Sequence, residues 1–379
     1  MQRVILAGAG HAHAQVLQAW SQEPLAGVDL VVVSPQALAP YSGMVPGWLA
    51  GTYGFEEIVI DFPALCGQAG ARWVSAAIDR LDPDTQCVHL DNGESLRYDW
   101  LSLNTGSTLT PPEGESSAHV LSMRPLSQLR TRYDRLLEDW RKEEGSNRPF
   151  QVTAVGGGAA GFESLLAVLR RLRMLRPDRD VQGALLTRGL ELLPGYPASA
   201  QRAAQRALKD ANVTLQLGTA WCDAKGRDSD LVLWATGAQA NAWQHDPDRR
   251  GSLAASAEGF VLIDTSLRSV SHPRIFAAGD CAQWHTPLPK AGVYAVRMGP
   301  VLTHNLRAAL TGAALQPYTP QSTFLSLLST ADGSAIASRG RFSLSGRWAW
   351  LWKDRIDRRF VRRFASANTR PVPVPGETP

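Results

Sequence analysis

Two glycine turns carry the residue types and spacing that could do chemistry. In Gly8-Ala9-Gly10-His11-Ala12-His13, the apolar run Val4–Ala7 leads in, and Ala12, Val16 and Trp20 follow at helical spacing. In Gly156-Gly157-Gly158-Ala159-Ala160-Gly161-Phe162-Glu163, Val152–Val155 leads in and the apolar-periodic stretch to Leu175 follows. Strand, glycine turn and helix N-terminus in that order make a dinucleotide-phosphate site. The first glycine permits the turn. The second lets backbone N–H groups approach a pyrophosphate at the positive end of the helix, and the third relieves helix–strand packing. The second turn has all three glycines. The first has His13 in third place, where an imidazole can either bond within the helix start or face the cofactor.

Three further pieces share this frame. Thr105-Gly106 ends the apolar run Trp100–Leu103, and Thr236-Gly237 ends Leu231–Leu233. Glycine at a strand terminus lets a chain pass close to a cofactor. Ile275-Phe276-Ala277-Ala278-Gly279-Asp280 puts a carboxylate at a strand end, where it can accept hydrogen bonds from ribityl hydroxyls.

The elements that position these motifs read as follows. Segments 3–7, 29–33, 71–75, 87–90 and 99–103 are short, apolar and bounded by turn residues, as strands are. Residues 126–143 carry a helical stripe, and Gly145–Pro149 punctuates the chain before the second strand–turn–helix unit. The expected fold is α/β: two Rossmann-like domains, the second inserted in the first, plus a small C-terminal unit. The expected boundaries are 1–115 with 251–315 for the first domain and 116–250 for the second. A C-terminal unit with an amphipathic helix fills 316–365, and 366–379 is a disordered tail. The 379 residues suit several domains, and a formal charge of only +4 argues against nucleic acid as a partner. The four cysteines include no C-x-x-C pair, which suits a reducing cytoplasm and no metal site. No apolar run is long enough to span a membrane, and no signal-peptide pattern opens the chain.

The order GAGHAH, TGS, GGGAAGFE, ATG, AAGD resembles the flavoproteins of the pyridine nucleotide-disulfide oxidoreductase superfamily, which have two dinucleotide-binding domains. Among them it looks most like type II NADH dehydrogenases and sulfide:quinone oxidoreductases. GAGHAHAQVL, PYSGMVPGWLAG and KDRIDRRF further resemble a flavoprotein module fused ahead of selenide, water dikinase. The resemblance implies FAD in the split domain and NAD(P)H as electron donor in the inserted one. On this resemblance Gly8, Gly10 and His13 lie in the FAD pyrophosphate loop, with Ser34 at the adenosine ribose. Ser42, Gly43 and Met44 pass beside the isoalloxazine. Thr105 and Gly106 make the second FAD contact, Gly279 and Asp280 lie at the ribityl contact, and Ala291 starts the helix aimed at the pyrimidine end. Lys290 and Arg297 are candidate cations near the flavin. Gly156, Gly158, Gly161, Glu163, Thr187, Arg188, Thr236 and Gly237 make the NAD(P) site. Thr187-Arg188 falls about 26 residues past Gly161, where NAD-specific proteins place an acid. That substitution predicts use of NADPH, or indifference between the two nucleotides.

Departures from the pattern set limits. No cysteine pair lies near PYSGMVPG, so no dithiol carries electrons there. Cys281 adjoins Asp280 with no evident partner, against sulfide as substrate. The A-Q-x-x-A of type II enzymes reads Ala291-Gly292-Val293-Tyr294-Ala295, leaving a quinone acceptor open. In 346–364, Trp348, Trp352, Ile356, Phe360 and Phe364 recur four apart among arginines. Such a basic aromatic helix fits a peripheral membrane contact, a homodimer face, or a cap on the protein's own core. The expected function is an FAD-dependent NAD(P)H oxidoreductase passing electrons to a small-molecule acceptor. The alternatives are a flavoprotein acting on a sulfur or selenium compound, and a non-catalytic redox sensor.

Overall fold

A computed structural model describes residues 1–111, 119–142, 148–221, 229–321 and 323–365; the expected tail, 366–379, and Cys222 lie outside them. The strands used below are β1 (Gln2–Ala7), β2 (Val28–Val33), β3 (Arg72–Val74), β4 (Trp100–Leu103), β5 (His119–Ser122), β6 (Phe150–Val155), β7 (Val181–Leu186), β8 (Val213–Gln216), β9 (Leu231–Trp234), β10 (Ile275–Ala277), β11 (Ser326–Ser329), β12 (Ala335–Arg339) and β13 (Phe342–Gly346). The helices are α1 (His11–Gln22), α2 (Leu126–Lys142), α3 (Ala159–Leu175), α4 (Gly292–Thr311) and α5 (Arg347–Arg362).

Apolar runs such as Val4–Ala7 and Val31–Val33 are buried on both faces, as all-parallel sheets require. Two such sheets form. The first has the order β10-β4-β1-β2-β3, the second β5-β9-β6-β7-β8, and every pairing within both is parallel. Strand β10 pairs Ile275 with Leu101 and Ala277 with Leu103. The first sheet is thus completed from sequence that follows the whole of the second sheet. A three-stranded antiparallel meander, 78–97, accompanies the first sheet.

The two cores are distinct. Val4, Ile5, Leu101, Phe276 and Leu302 belong to the first; Val152, Leu165, Leu185 and Leu233 belong to the second. Met44, Val45, Trp48 and Leu49 follow the first domain's turn but pack in the second core. The segment Tyr41–Gly43 is therefore tethered to both domains.

The C-terminal unit is the antiparallel sheet β11-β12-β13, with Ala349 of α5 packed on Ala335 and Ala337. The apolar stripe of α5 divides. Phe360 and Phe364 are buried in the first core, with Phe360 centred 4.5 Å from the Tyr41 ring. Trp348, Leu351, Trp352 and Ile356 remain 40–54% exposed, beside Phe342 at 82% and Leu344 at 70%. Of the roles open to this stripe, the core cap holds for its last two aromatics, Phe360 and Phe364. Lys353 and Asp357 are turned inward instead.

Candidate cofactor and electron-transfer site

Gly8 and Gly10 pass so close to Asn104 that any Cβ at either position would overlap it, and Gly8 also adopts a left-handed φ of 103°. Asn104, at the end of β4, braces the start of α1. Its Oδ1 accepts from Ala12 N–H at 3.1 Å and its Nδ2 donates to Ala278 C=O at 2.7 Å. One side chain thus joins the first turn to the approach of Gly279-Asp280. Asn104 carries no role in the motif pattern.

The second turn is built the same way. Gly156 at φ 125° leaves no room for a Cβ against Ala235 C=O, and Gly161 packs directly on Gly156 C=O. The corresponding carbonyl in the first turn is that of Gly8, and there His13 replaces contact with a hydrogen bond. His13 Nδ1 lies 2.7 Å from Gly8 C=O, and Nε2 lies 2.8 Å from Ser102 Oγ. A carbonyl only accepts, so Nδ1 carries the proton and Nε2 accepts from Ser102. The ring is fully enclosed, and burial pushes its pKa down to about 4. His13 therefore points inward and stays neutral. Of the two orientations open to it, the structure shows the one bonded within the turn, because position 13 looks at the sheet.

Two of the strand-end motifs converge on one side of the first sheet, and Thr236-Gly237 ends a strand of the second. Asp280 follows β10, and Thr105, Gly106 and Ser107 follow β4. Space opens beyond Gly106, as it does beyond Gly158 and Gly237 in the second domain. Thr105 Oγ1 accepts from Asn241 Nδ2 at 3.3 Å. Arg124, absent from the sequence expectations, donates to Asp280 Oδ2 at 2.5 Å and to Lys290 C=O at 2.8 Å. Ala291 occupies the N-cap position of α4 without a side-chain cap, and Gly292 lies against the Ser42 hydroxyl. A side chain at 292 would displace Ser42, which accounts for glycine in place of the glutamine of the A-Q-x-x-A pattern.

Lys290 Nζ donates to Ala282 C=O at 2.6 Å and lies 3.7 Å above the Phe260 ring, so its ammonium is already satisfied. Arg297 is exposed on α4, because its position looks outward from the α1–α4 contact. Met44 is fully buried in the second core. Ser34 ends β2 with its hydroxyl donating weakly to Gln36 C=O at 3.4 Å. Thr187 packs against Gly157, and Arg188 is exposed at the end of β7.

Glu163 is the most informative correction. Its carboxylate turns from the glycine turn toward the C-terminal unit and accepts from Ser329 N–H at 2.7 Å. Burial raises its pKa to about 7, against the charge of Lys353, which lowers it. Lys353 Nζ donates to Gly43 C=O at 2.5 Å and to Asp357 at 2.7 Å. A hydrogen bond and the charge of Asp357, after burial, push the Tyr41 phenol well above its usual range. A proton-holding cluster from α3 and α5 thus borders the segment 41–43. The signal for it was Lys353…Asp357, an i,i+4 pair of opposite charges.

A sequence profile described as pyridine nucleotide-disulphide oxidoreductase matches residues 2–299. The alternative NAD(P)H-ubiquinone oxidoreductase C1 of Arabidopsis thaliana is 26% identical over 334 residues, 76% of this chain and 63% of that one. Ferroptosis suppressor protein 1 of Xenopus laevis is 25% identical, over 72% of each. The chain thus spans under two thirds of the first relative's length. The fold is similar to NDH2 from Plasmodium falciparum in complex with NADH. The TM-score is 0.76 and identity 12%, over 96% of this chain and 97% of that one. It is also similar to the sulfide:quinone oxidoreductase of Aquifex aeolicus, with a TM-score of 0.75 and 16% identity over 96% and 91%.

Proposed function

The chain belongs to the pyridine nucleotide-disulphide oxidoreductase family, and from that membership we propose that it is an FAD-dependent oxidoreductase carrying electrons from NAD(P)H to a quinone at a membrane surface. The observation that carries the reading is the pairing of two glycine-turned helix N-termini on two parallel sheets, with the start of α4 against Ser42 and Asp280 tied to it through Arg124. FAD falls to 1–115 with 251–315 and the nicotinamide nucleotide to 116–250.

The residues fit FAD. The turn at Gly8–Gly10 offers backbone N–H groups to a pyrophosphate, and Gly106 leaves open space beside Asp280. Bound flavin supplies hydride acceptance and electron release. The chain's own part is orientation and charge. The uncapped N-terminus of α4 presents a positive dipole end, which favours negative charge near it. Glu163, its carboxyl pushed up to about 7 by burial, borders segment 41–43 beside Lys353. Thr187 does not repel a 2′-phosphate and exposed Arg188 can pair with one, which supports NADPH use.

The quinone follows from the Arabidopsis relative's name and the membrane from α5. Both acids of α5 are paired inward: Asp357 with Lys353, and Asp354 with Tyr53 and Arg358. Arg341, Arg347, Arg355, Arg359 and Arg362 are exposed, with no ion pair among the described residues. Six exposed large apolar side chains ringed by cations suit an anionic lipid surface. No helix among the described residues is long and apolar enough to cross a membrane, so the contact proposed is peripheral.

A sulfur substrate fits less well. Cys281 is buried, its thiol donates to Ala278 C=O, and burial raises its pKa, which keeps it protonated and inert. The test is anaerobic mixing with NADH or NADPH while flavin absorbance is followed, then reoxidation by a short-chain quinone. Bleaching followed by recovery is expected. No bleaching by either nucleotide overturns the reading.

A further inference from the structure

The sequence motifs account for every flavin-side segment except the one that ties them together. Arg124 lies just past β5 of the second sheet, in a stretch with no glycine turn and no motif. Its guanidinium nevertheless reaches three groups of the first domain. Nη1 donates to Asp280 Oδ2 at 2.5 Å and to Ser107 Oγ, and Nη2 donates to Lys290 C=O at 2.8 Å. Ser107 Oγ itself donates to the same Asp280 oxygen at 3.3 Å. One planar fork therefore fixes the end of β4, the carboxylate after β10 and the residue before the α4 N-terminus.

The pair is sheltered, with 26% of the Arg124 side chain and 19% of the Asp280 side chain exposed. Lys290, another cation within the electrostatic reach of Asp280, directs its ammonium to Ala282 C=O and the Phe260 ring. Arg124 is thus the cation that balances Asp280. A fixed fork holds a carboxylate in one orientation, which a flexible ammonium does not.

We propose that Arg124 is a flavin-positioning residue that orients Asp280 for the ribityl chain and holds the compensating positive charge beside the bound flavin. The proposal rests on the flavin reading above. Removing Arg124 leaves Asp280 as an uncompensated, partly buried negative charge. Reduction adds negative charge to the cofactor, so the reduced form then loses more affinity than the oxidised form.

The experiment compares the holoprotein with R124Q, R124K and R124Q/D280N. Flavin affinity is read by equilibrium dialysis and the midpoint potential by dye-linked reductive titration. R124Q is expected to weaken FAD retention at least tenfold. It should also weaken reduced over oxidised flavin by about tenfold, which is about 30 mV downward for a two-electron couple. R124K should recover the potential but not the full affinity. R124Q/D280N should move the potential back toward wild type, because it removes the unbalanced charge. R124Q with both quantities within about twofold of wild type overturns the proposal. So does a double variant no closer in potential than R124Q. If R124Q does not fold, the lysine and double variants carry the same comparison. Wild-type protein that takes up no flavin would instead remove the flavin reading itself.

Discussion

Replacing His13 with glycine restores the full G-x-G-x-x-G pattern, and it should make the protein less stable. In the second turn the glycine at this position works because α3 packs directly on Gly156 C=O. In the first turn α1 packs with an imidazole between helix and sheet. His13→Gly leaves Ser102 Oγ, which is fully buried, and Gly8 C=O without partners. A buried group left unsatisfied costs about 1–3 kcal/mol, and the vacated ring volume adds to it, so a loss of roughly 2–4 kcal/mol is expected near neutrality. The loss should shrink in acid. The His13 pKa falls from 6.5 unfolded to about 4 folded, so the unfolded chain binds the extra proton between those values. Stability from keeping this ring neutral is therefore full above the unfolded pKa and drains away as pH falls toward the folded one. Linkage puts that loss at about 2 kcal/mol between about pH 7.5 and about pH 5. The variant lacks the ring and loses nothing by this route. The assay is guanidinium unfolding of both proteins at the two pH values, followed by tryptophan fluorescence. A glycine variant as stable as wild type at neutral pH, or a gap that does not narrow in acid, would refute the inward, neutral histidine.

Arg188→Ala should slow flavin reduction by NADPH tenfold or more and leave NADH nearly unaffected, as read by anaerobic stopped flow. NADH reduction ten times faster than NADPH in the wild type defeats the preference. Glu163→Gln should flatten the pH dependence of flavin reoxidation by quinone around neutrality, since the group titrating at about 7 is gone. An unchanged profile removes Glu163 from proton handling. Trp348→Ser with Trp352→Ser should abolish co-sedimentation with anionic vesicles without changing the protein's mass in solution. A change in oligomeric mass instead would assign the exposed face to a second subunit.

What was legible in the sequence was local. Val4–Ala7, Val152–Val155 and the glycines after them announce strand, turn and helix within about a dozen residues of chain. The orientation of His13 was not legible, because it is decided by Ser102, a residue of another strand. Arg124 was invisible for the same reason: its partners come from three distant segments and its own neighbours carry no motif. The period of α5 was correct, but periodicity gives stripes and not which stripe faces in. Gly43 C=O and the Glu163 carboxyl, both remote in sequence, draw Lys353 inward and leave the tryptophans outside.

The completion of the first sheet by β10 has a consequence for synthesis. A chain emerging from the ribosome releases β1 to β4 early, with the edge of β4 bare. All of β5 to β9 emerges before Ile275–Ala277 arrives to cover that edge. The second domain has its whole sheet available first and can close while the first is still missing a strand. An open edge next to Leu101 and Leu103 is a template for pairing with neighbouring nascent chains. The first domain is therefore the last to be secured. Translation stalled ahead of residue 275 should leave a finished second domain attached to an aggregation-prone partner, a state that a chaperone binding β4 would relieve.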